Sequence, residues 1–275
     1  MASHAMNEAG LPPYDVTATI KFVVRGEKST FHAGEREKSY WPGDPHEVTI
    51  HDMRPIAEEL SFERNGFVLL DEPTAVKDYL AEGAIETFSR ECEDIVQRLT
   101  GADKVVSFGP ILRTNATGTH GHNQPAFGAH VDYGDRTTRD FTYDLLPKEE
   151  ADRRLEGRYM LINLWRPIVM VESAPFALCD ASTVKREDLF DSEVVGGLGD
   201  FNRRSLWGFN LAYAPGQRWY WAPHMQPWEI FAFKLFDSEP DAVQFTAHSA
   251  FDDPNTPADA APRQSIEIRT IAYLG

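Results

Sequence analysis

Residues 128–134 read GAHVDYG. The run alternates in the manner of a β-strand, in which residues i and i+2 leave the backbone on the same face. His130 and Asp132 then present an imidazole and a carboxylate to one space, with Tyr133 turned to the opposite face as packing. A polar surface strand would give the same pattern, so the pair needs partners from elsewhere in the chain before it signifies a metal site.

Around this stretch the chain reads as mainly β with flanking helices. From Gly101 onward, short apolar runs are split by Gly, Pro, Asn and Asp, which favours antiparallel strands over repeated βαβ units. Strands are expected in KVVSFGPILRT (104–114), GAHVDY (128–133), RYMLINLWRPI (158–168), ALCDAS (177–182), LWGFNLAYA (206–214), QRWYWAP (217–223), EIFAFKLFDS (229–238), AVQFTAHSAF (242–251) and QSIEIRTIAYL (264–274). Such a series suits a double-sheet roll. Between the second and third runs, DLLPKEEADRRLEG (144–157) has acids early and arginines late, as a short exposed helix would.

Upstream, Phe67–Leu70 reads as a short strand. A helix is expected to start near Thr74 and close at Gly101, with Val76, Leu80, Ile85, Phe88, Ile95 and Leu99 on one face. YDVTATIKFVV (14–24) alternates as a strand, and residues 25–44 are polar and turn-rich. Residues 1–13 read as a flexible tail. Residues 14–275 read as one domain, with an N-terminal extension (14–60) packed on a β core (about 101–275).

Composition narrows the function. With 275 residues, 42% hydrophobic, the chain can bury a sizeable core. A formal charge of −16, without a long Lys/Arg run, argues against nucleic-acid binding. No apolar run is long enough to span a bilayer, and the first residues show no charged region followed by an apolar core, so neither secretion nor membrane insertion is expected. The two cysteines, Cys92 and Cys179, form no CxxC pair, which suits a reduced, cytoplasmic setting.

A third ligand candidate is His248 in FTAHSAF, beside small or polar neighbours; the alternative is a hydrogen-bonded core histidine. Two histidines and one carboxylate leaving positions free is the donor set of non-haem Fe(II). Further on, Arg263 and Ser265 share strand parity. A guanidinium fork with a neighbouring hydroxyl suits a carboxylate.

The order HxD, His, Arg-x-Ser resembles that of Fe(II)/2-oxoglutarate oxygenases with a double-stranded β-helix (jelly-roll, cupin-like) core. More narrowly, INLWRPI, QRWYWAPHMQPWEIFAFKLFDS, HSAFDDP and RQSIEIR resemble the CmcJ/AsaB/NvfI-like hydroxylase/desaturase family over roughly residues 60–275. The resemblance implies His130, Asp132 and His248 as iron ligands and Arg263 with Ser265 as the cosubstrate clamp. It implies Fe(II), 2-oxoglutarate and O2 as the reactive set, with succinate and CO2 as by-products and hydroxylation or desaturation of a small molecule in natural-product biosynthesis. A homodimer is compatible with it. Asp132 disfavours halogenation, which needs a small residue at that position.

Other residues have two readings. Asn163 and Arg166 border the expected site and touch cosubstrate or substrate, or else serve structure. Arg269 competes for the cosubstrate carboxylate, or pairs with Glu267 on its own strand. Arg218, Trp219, Tyr220, Glu229, Lys234, Asp237 and His224 read as structural. His120 and His122 lie in a Gly/Asn-rich loop, as exposed or substrate-facing residues. Two other functions remain open from residues alone: a non-catalytic metal-binding β-roll, and a zinc hydrolase using the same triad.

Overall fold

The computed structural model describes residues 14–32, 35–117, 122–196 and 205–275. Two sheets face one another. The smaller has five strands in the order β4 (Phe67–Asp71), β12 (Glu229–Asp237), β7 (Arg158–Pro167), β14 (Gln264–Leu274) and β5 (Lys104–Thr114). The larger has nine, in the order β1 (Val16–Val23), β3 (Gly43–Asp52), β11 (Trp219–Trp221), β8 (Phe176–Cys179), β13 (His248–Ala250), β6 (His130–Val131), β10 (Ser205–Leu211), β9 (Leu189–Val195) and β2 (Ser29–His32). This is the expected double-stranded β-helix. Of the helices among the described residues, α1 spans Phe62–Asn65, α2 Ala84–Thr100, α3 Asp135–Leu145 and α4 Lys148–Arg154.

The small sheet is covered on both faces, so β7, β12 and β14 are buried along nearly their whole length and read as continuous apolar runs. Its outer face, built from Ile162, Leu164, Ile230, Ile266, Ile268 and Ala272, packs against Phe88, Cys92, Ile95 and Val96 of α2. Its inner face, of opposite parity, looks across the sandwich at the large sheet.

Several expectations are corrected. Helix α2 begins at Ala84, ten residues later than Thr74, because Gly83 takes a left-handed φ of 74° and Thr74 and Ala75 bond the Glu91 carboxylate instead of a helical ladder. Leu80 is consequently 74% exposed. The strand at 242–251 shortens to β13 because Phe245 has φ 61°. Helix α3 was not expected, since its buried stripe is largely threonine. The hydroxyls of Thr138 and Thr142 are spent on the carbonyls of Gly134 and Thr138, leaving methyl groups to pack.

Residues 14–52 do more than lean on the core. They contribute β1, β2 and β3 to the large sheet, and the Ala129 N–H donates to the Lys21 carbonyl at 2.8 Å. The first thirteen residues lie outside the described residues. No helix among those described is long and apolar enough to cross a membrane.

Glu229, Lys234 and Asp237 do have structural partners that fix β12. Arg54 is 2.5 Å from Glu229, and the fully buried Asp237 carboxylate takes Lys234 at 2.8 Å and Arg158 at 2.7 Å. Removing one partner of a buried pair strands the other charge, so Asp237→Ala is expected to cost about 3–5 kcal/mol. Equilibrium urea unfolding would measure it, and a loss under about 1 kcal/mol, the range of an exposed pair, would contradict it.

Candidate active site

The chain around GAHVDYG is held from both sides. Besides the bond to Lys21, the Ala129 carbonyl accepts from Leu211 N at 2.9 Å. Only His130 and Val131 remain in regular strand, yet the expected parity holds where it matters. His248 sits opposite His130 on the adjacent strand. One ligand atom from each of His130, Asp132 and His248 lies within 4.8 Å of the other two, a spacing that could hold a metal ion. Asp132 Oδ1 is 3.4 Å from His130 Nε2 and 3.9 Å from His248 Nε2.

The tautomers follow from hydrogen bonds. His130 Nδ1 meets the Gly128 carbonyl at 2.6 Å, and His248 Nδ1 meets the Thr246 carbonyl at 3.2 Å. A carbonyl only accepts, so each Nδ1 carries the proton and each Nε2 keeps a free lone pair. Burial and the neighbouring His130 pull His248 down to about 3, which keeps it neutral at physiological pH. Burial works to raise the pKa of Asp132, but the adjacent Arg269 guanidinium outweighs it and holds the carboxylate well below its usual range. His248 is buried, with Nδ1 on a backbone carbonyl and Nε2 3.9 Å from Asp132 Oδ1.

A cavity of only about 10 Å³, room for about one water, lies between the two histidines and Arg263, bounded by Phe176, Arg113 and Glu267. A larger cleft of about 570 Å³ opens on the other side of His130 and Asp132.

Over residues 17–273 the chain matches a protein family described as "Oxidoreductase/YMDC permease-like domain". It is 30% identical over 263 residues to "Fe(II)/2-oxoglutarate-dependent dioxygenase nvfI" of Aspergillus novofumigatus (strain IBT 16806), covering 88% of this chain and 93% of that protein. Over 251 residues it is 27% identical to "Hydroxylase/desaturase efuI" of Hormonema carpetanum, covering 82% and 83% respectively. The solved structure of "iron and alpha-ketoglutarate-dependent endoperoxidase NvfI" superposes with a TM-score of 0.85 at 26% identity, over 95% of this chain and 98% of that one. The chain belongs to the Fe(II)/2-oxoglutarate-dependent dioxygenase family.

Arg263, expected from the sequence to meet a carboxylate, is a buried cation. It is 1% exposed, donates from Nη1 to the Ala174 carbonyl at 2.7 Å, and lies over the Trp165 ring at 5.5 Å. Among the described residues its Nε has no partner, and neither does the buried Ser265 hydroxyl two positions on. Burial, and then the like charge of Arg113, push Arg263 down to about 9. An incoming anion would relieve both effects and engage the orphaned donors.

The remaining sequence candidates divide. Asn163 Nδ2 reaches Asp132 Oδ2 at 3.3 Å, so Asn163 is part of the site. Arg269 pairs with Glu267 at 2.8 Å, as its bland reading had it, and with Asp132 at 3.0 Å. Arg166 is not brought in. Its parity places it on the outer face of β7, near Phe88 and bonded to the Glu72 carbonyl. Tyr133 lies past the end of the regular strand and packs edge-on to Phe141, with the Arg269 guanidinium over its ring. Arg218 is an ion-pair partner of Asp180 at 2.9 Å, and His224 is an exposed turn residue. His120 lies outside the described residues, and His122 does not join the triad.

Two residues escaped the sequence reading. Arg113 grips Glu267 with Nε at 3.1 Å and Nη2 at 2.8 Å and borders both cavities. Gly208 in LWGFNL packs on the backbone that carries Asp132, and a Cβ there would collide with the carbonyl oxygens of Val131 and Asp132. A glycine inside a strand pattern is the signal for such close approach. Gly208→Ala is expected to displace Asp132 and abolish tight Fe(II) binding, at a stability cost of about 1–3 kcal/mol. Metal titration of the variant by calorimetry checks this, and wild-type affinity would refute it.

Proposed function

We propose that His130, Asp132 and His248 hold Fe(II), that Arg263 and Ser265 grip the far carboxylate of 2-oxoglutarate, and that a small, largely apolar molecule is oxidised in the adjoining cleft. The reading rests on one observation: three ligand atoms lie within 4.8 Å of one another, and two of those residues, His130 and His248, line a small cavity with Arg263, a buried arginine without an ion pair among the described residues. With iron, 2-oxoglutarate and O2 bound, such a site supplies oxidation of a C–H bond, and the cosubstrate leaves as succinate and CO2.

The chain's own residues place and protect this chemistry. The Gly128 and Thr246 carbonyls orient the two imidazoles. Phe233 and Phe176 cover His248 at ring separations of 4.8 and 5.5 Å, keeping water from its buried side. The N-terminal extension supplies one wall of the cleft with Phe31, Tyr40 and Trp41, and Trp41 packs directly on Gly128, two residues from His130. Phe127 and Phe209 add further apolar surface, while Lys21 and Asn210 offer a few polar contacts. That combination suits a metabolite with an extended apolar body. Relatives named hydroxylase/desaturase support hydroxylation or desaturation of such a molecule, in natural-product biosynthesis. The two cysteines are both free and buried, which suits a cytoplasmic enzyme.

Anaerobic addition of 2-oxoglutarate to the Fe(II) protein should produce a visible charge-transfer band. Asp132→Ala should abolish it, and Arg263→Met should raise the 2-oxoglutarate needed by about 30-fold or more, the loss expected when one partner of a buried charge pair is truncated. Turnover without O2 and without succinate would instead indicate a zinc hydrolase, and metal binding without turnover a non-catalytic roll. Once a substrate is found, Trp41→Ala should raise its KM about tenfold while leaving the charge-transfer band unchanged; loss of the band would refute the placement of Trp41 on the substrate side.

A further inference from the structure

The two oxygens of Asp132 are treated differently by their surroundings. Oδ1 faces the imidazole nitrogens of His130 and His248. Oδ2 accepts from Arg269 Nη2 at 3.0 Å and from Asn163 Nδ2 at 3.3 Å. A carboxylate oxygen has about two lone-pair sites, so two donors leave Oδ2 none for a metal. Both donors come from neighbouring strands of the small sheet, where Arg269 and Asn163 are directly paired.

Arg269 is itself held. It is 3% exposed. Its Nη2 also donates to Glu267 Oε1 at 2.8 Å, and its Nη1 donates to the Gly109 carbonyl at 3.1 Å. That carbonyl is available because β5 bulges between the partners of Glu267 and Arg269, where Gly109 takes φ 59°. Glu267 is fixed in turn by two bonds from Arg113.

We propose that Arg269, aided by Asn163, is a positioning residue that confines Asp132 to ligation through Oδ1 alone and so keeps a coordination position free for the chelating end of the cosubstrate. This rests on the triad being the iron site. Without the clamp Asp132 can turn both oxygens to the metal, which holds the ion as well but competes with 2-oxoglutarate. A residue that merely stabilises the fold would instead lose metal and cosubstrate together.

The test is anaerobic titration of 2-oxoglutarate into the Fe(II)-loaded wild-type, Arg269→Gln, Arg269→Lys and Asn163→Leu proteins. Charge-transfer absorbance is followed, and iron content per chain is measured on the same samples. Arg269→Gln should retain iron near the wild-type level yet need about tenfold or more 2-oxoglutarate for half-maximal absorbance, the scale on which outer partners of metal ligands act. Arg269→Lys should recover part of the loss, and Asn163→Leu should show a smaller shift in the same direction. Asn163→Leu removes a donor without stranding a charge, so it carries the test if Arg269→Gln does not fold. Wild-type titration curves in the variants, or parallel loss of iron and 2-oxoglutarate in a folded variant, would overturn the proposal. Absence of the band in the wild-type protein would overturn the triad assignment instead.

Discussion

A carboxylate enclosed between two β-sheets must be matched by positive charge or it will not stay ionised, and Asp132 is matched by an arginine from the opposite sheet. Asp132 follows β6 of the large sheet, and Arg269 lies on β14 of the small one, so their bond crosses the interior of the sandwich. Facing sheets stand about 10 Å apart, a gap that a long arginine side chain can span. The pair belongs to a longer alternation of Arg113, Glu267, Arg269 and Asp132, in which each interior charge lies between opposite ones. Burial alone would raise the acids and lower the arginines, but here the neighbouring charges outweigh it and keep all four ionised. Such an arrangement contributes little net stability relative to an apolar core, and its worth is geometric.

The stability that the polar interior does not supply comes from elsewhere. The outer face of the small sheet buries aliphatic side chains against α2, and the aromatic residues Trp165, Phe176, Phe231 and Phe233 pack into one cluster around the buried end of the site. Alternate residues of the same strands therefore have separate tasks. On β14, Ile266 and Ile268 hold the helix, while Ser265, Glu267 and Arg269 face the chemistry. The strand period of two makes this partition possible, and a register slip of one residue would exchange the two sets.

Two cavities of different character meet at His130. The small one reaches Arg263, whose Nε has no partner among the described residues. The wide cleft has an outer wall built by the N-terminal segment, which carries exposed aromatic residues. The open side is formed by residues for which no sequence motif was found.

Much of the site was legible in the linear sequence because its elements are local. An H-x-D or R-x-S spacing imposes a shared strand face wherever the strand occurs, and the apolar runs of β7, β12 and β14 announce burial on both sides. Strands β2, β3 and β9 were not legible, because edge and half-exposed strands alternate weakly and mix with turn residues. The late start of α2 was hidden because helical spacing in Val76 and Leu80 mimics one face, while a left-handed glycine and a carboxylate seventeen residues on decide the backbone. What tertiary structure alone settled is which polar residues meet. Asn163 and Arg166 are three apart on one strand and equally polar, yet parity sends one to Asp132 and the other under the helix. Contacts between strands distant in sequence depend on sheet order and register, which no single segment encodes, and for that reason His130, Asp132 and His248 could be grouped from the sequence but the contacts of Arg269 and Asn163 with Asp132 could not.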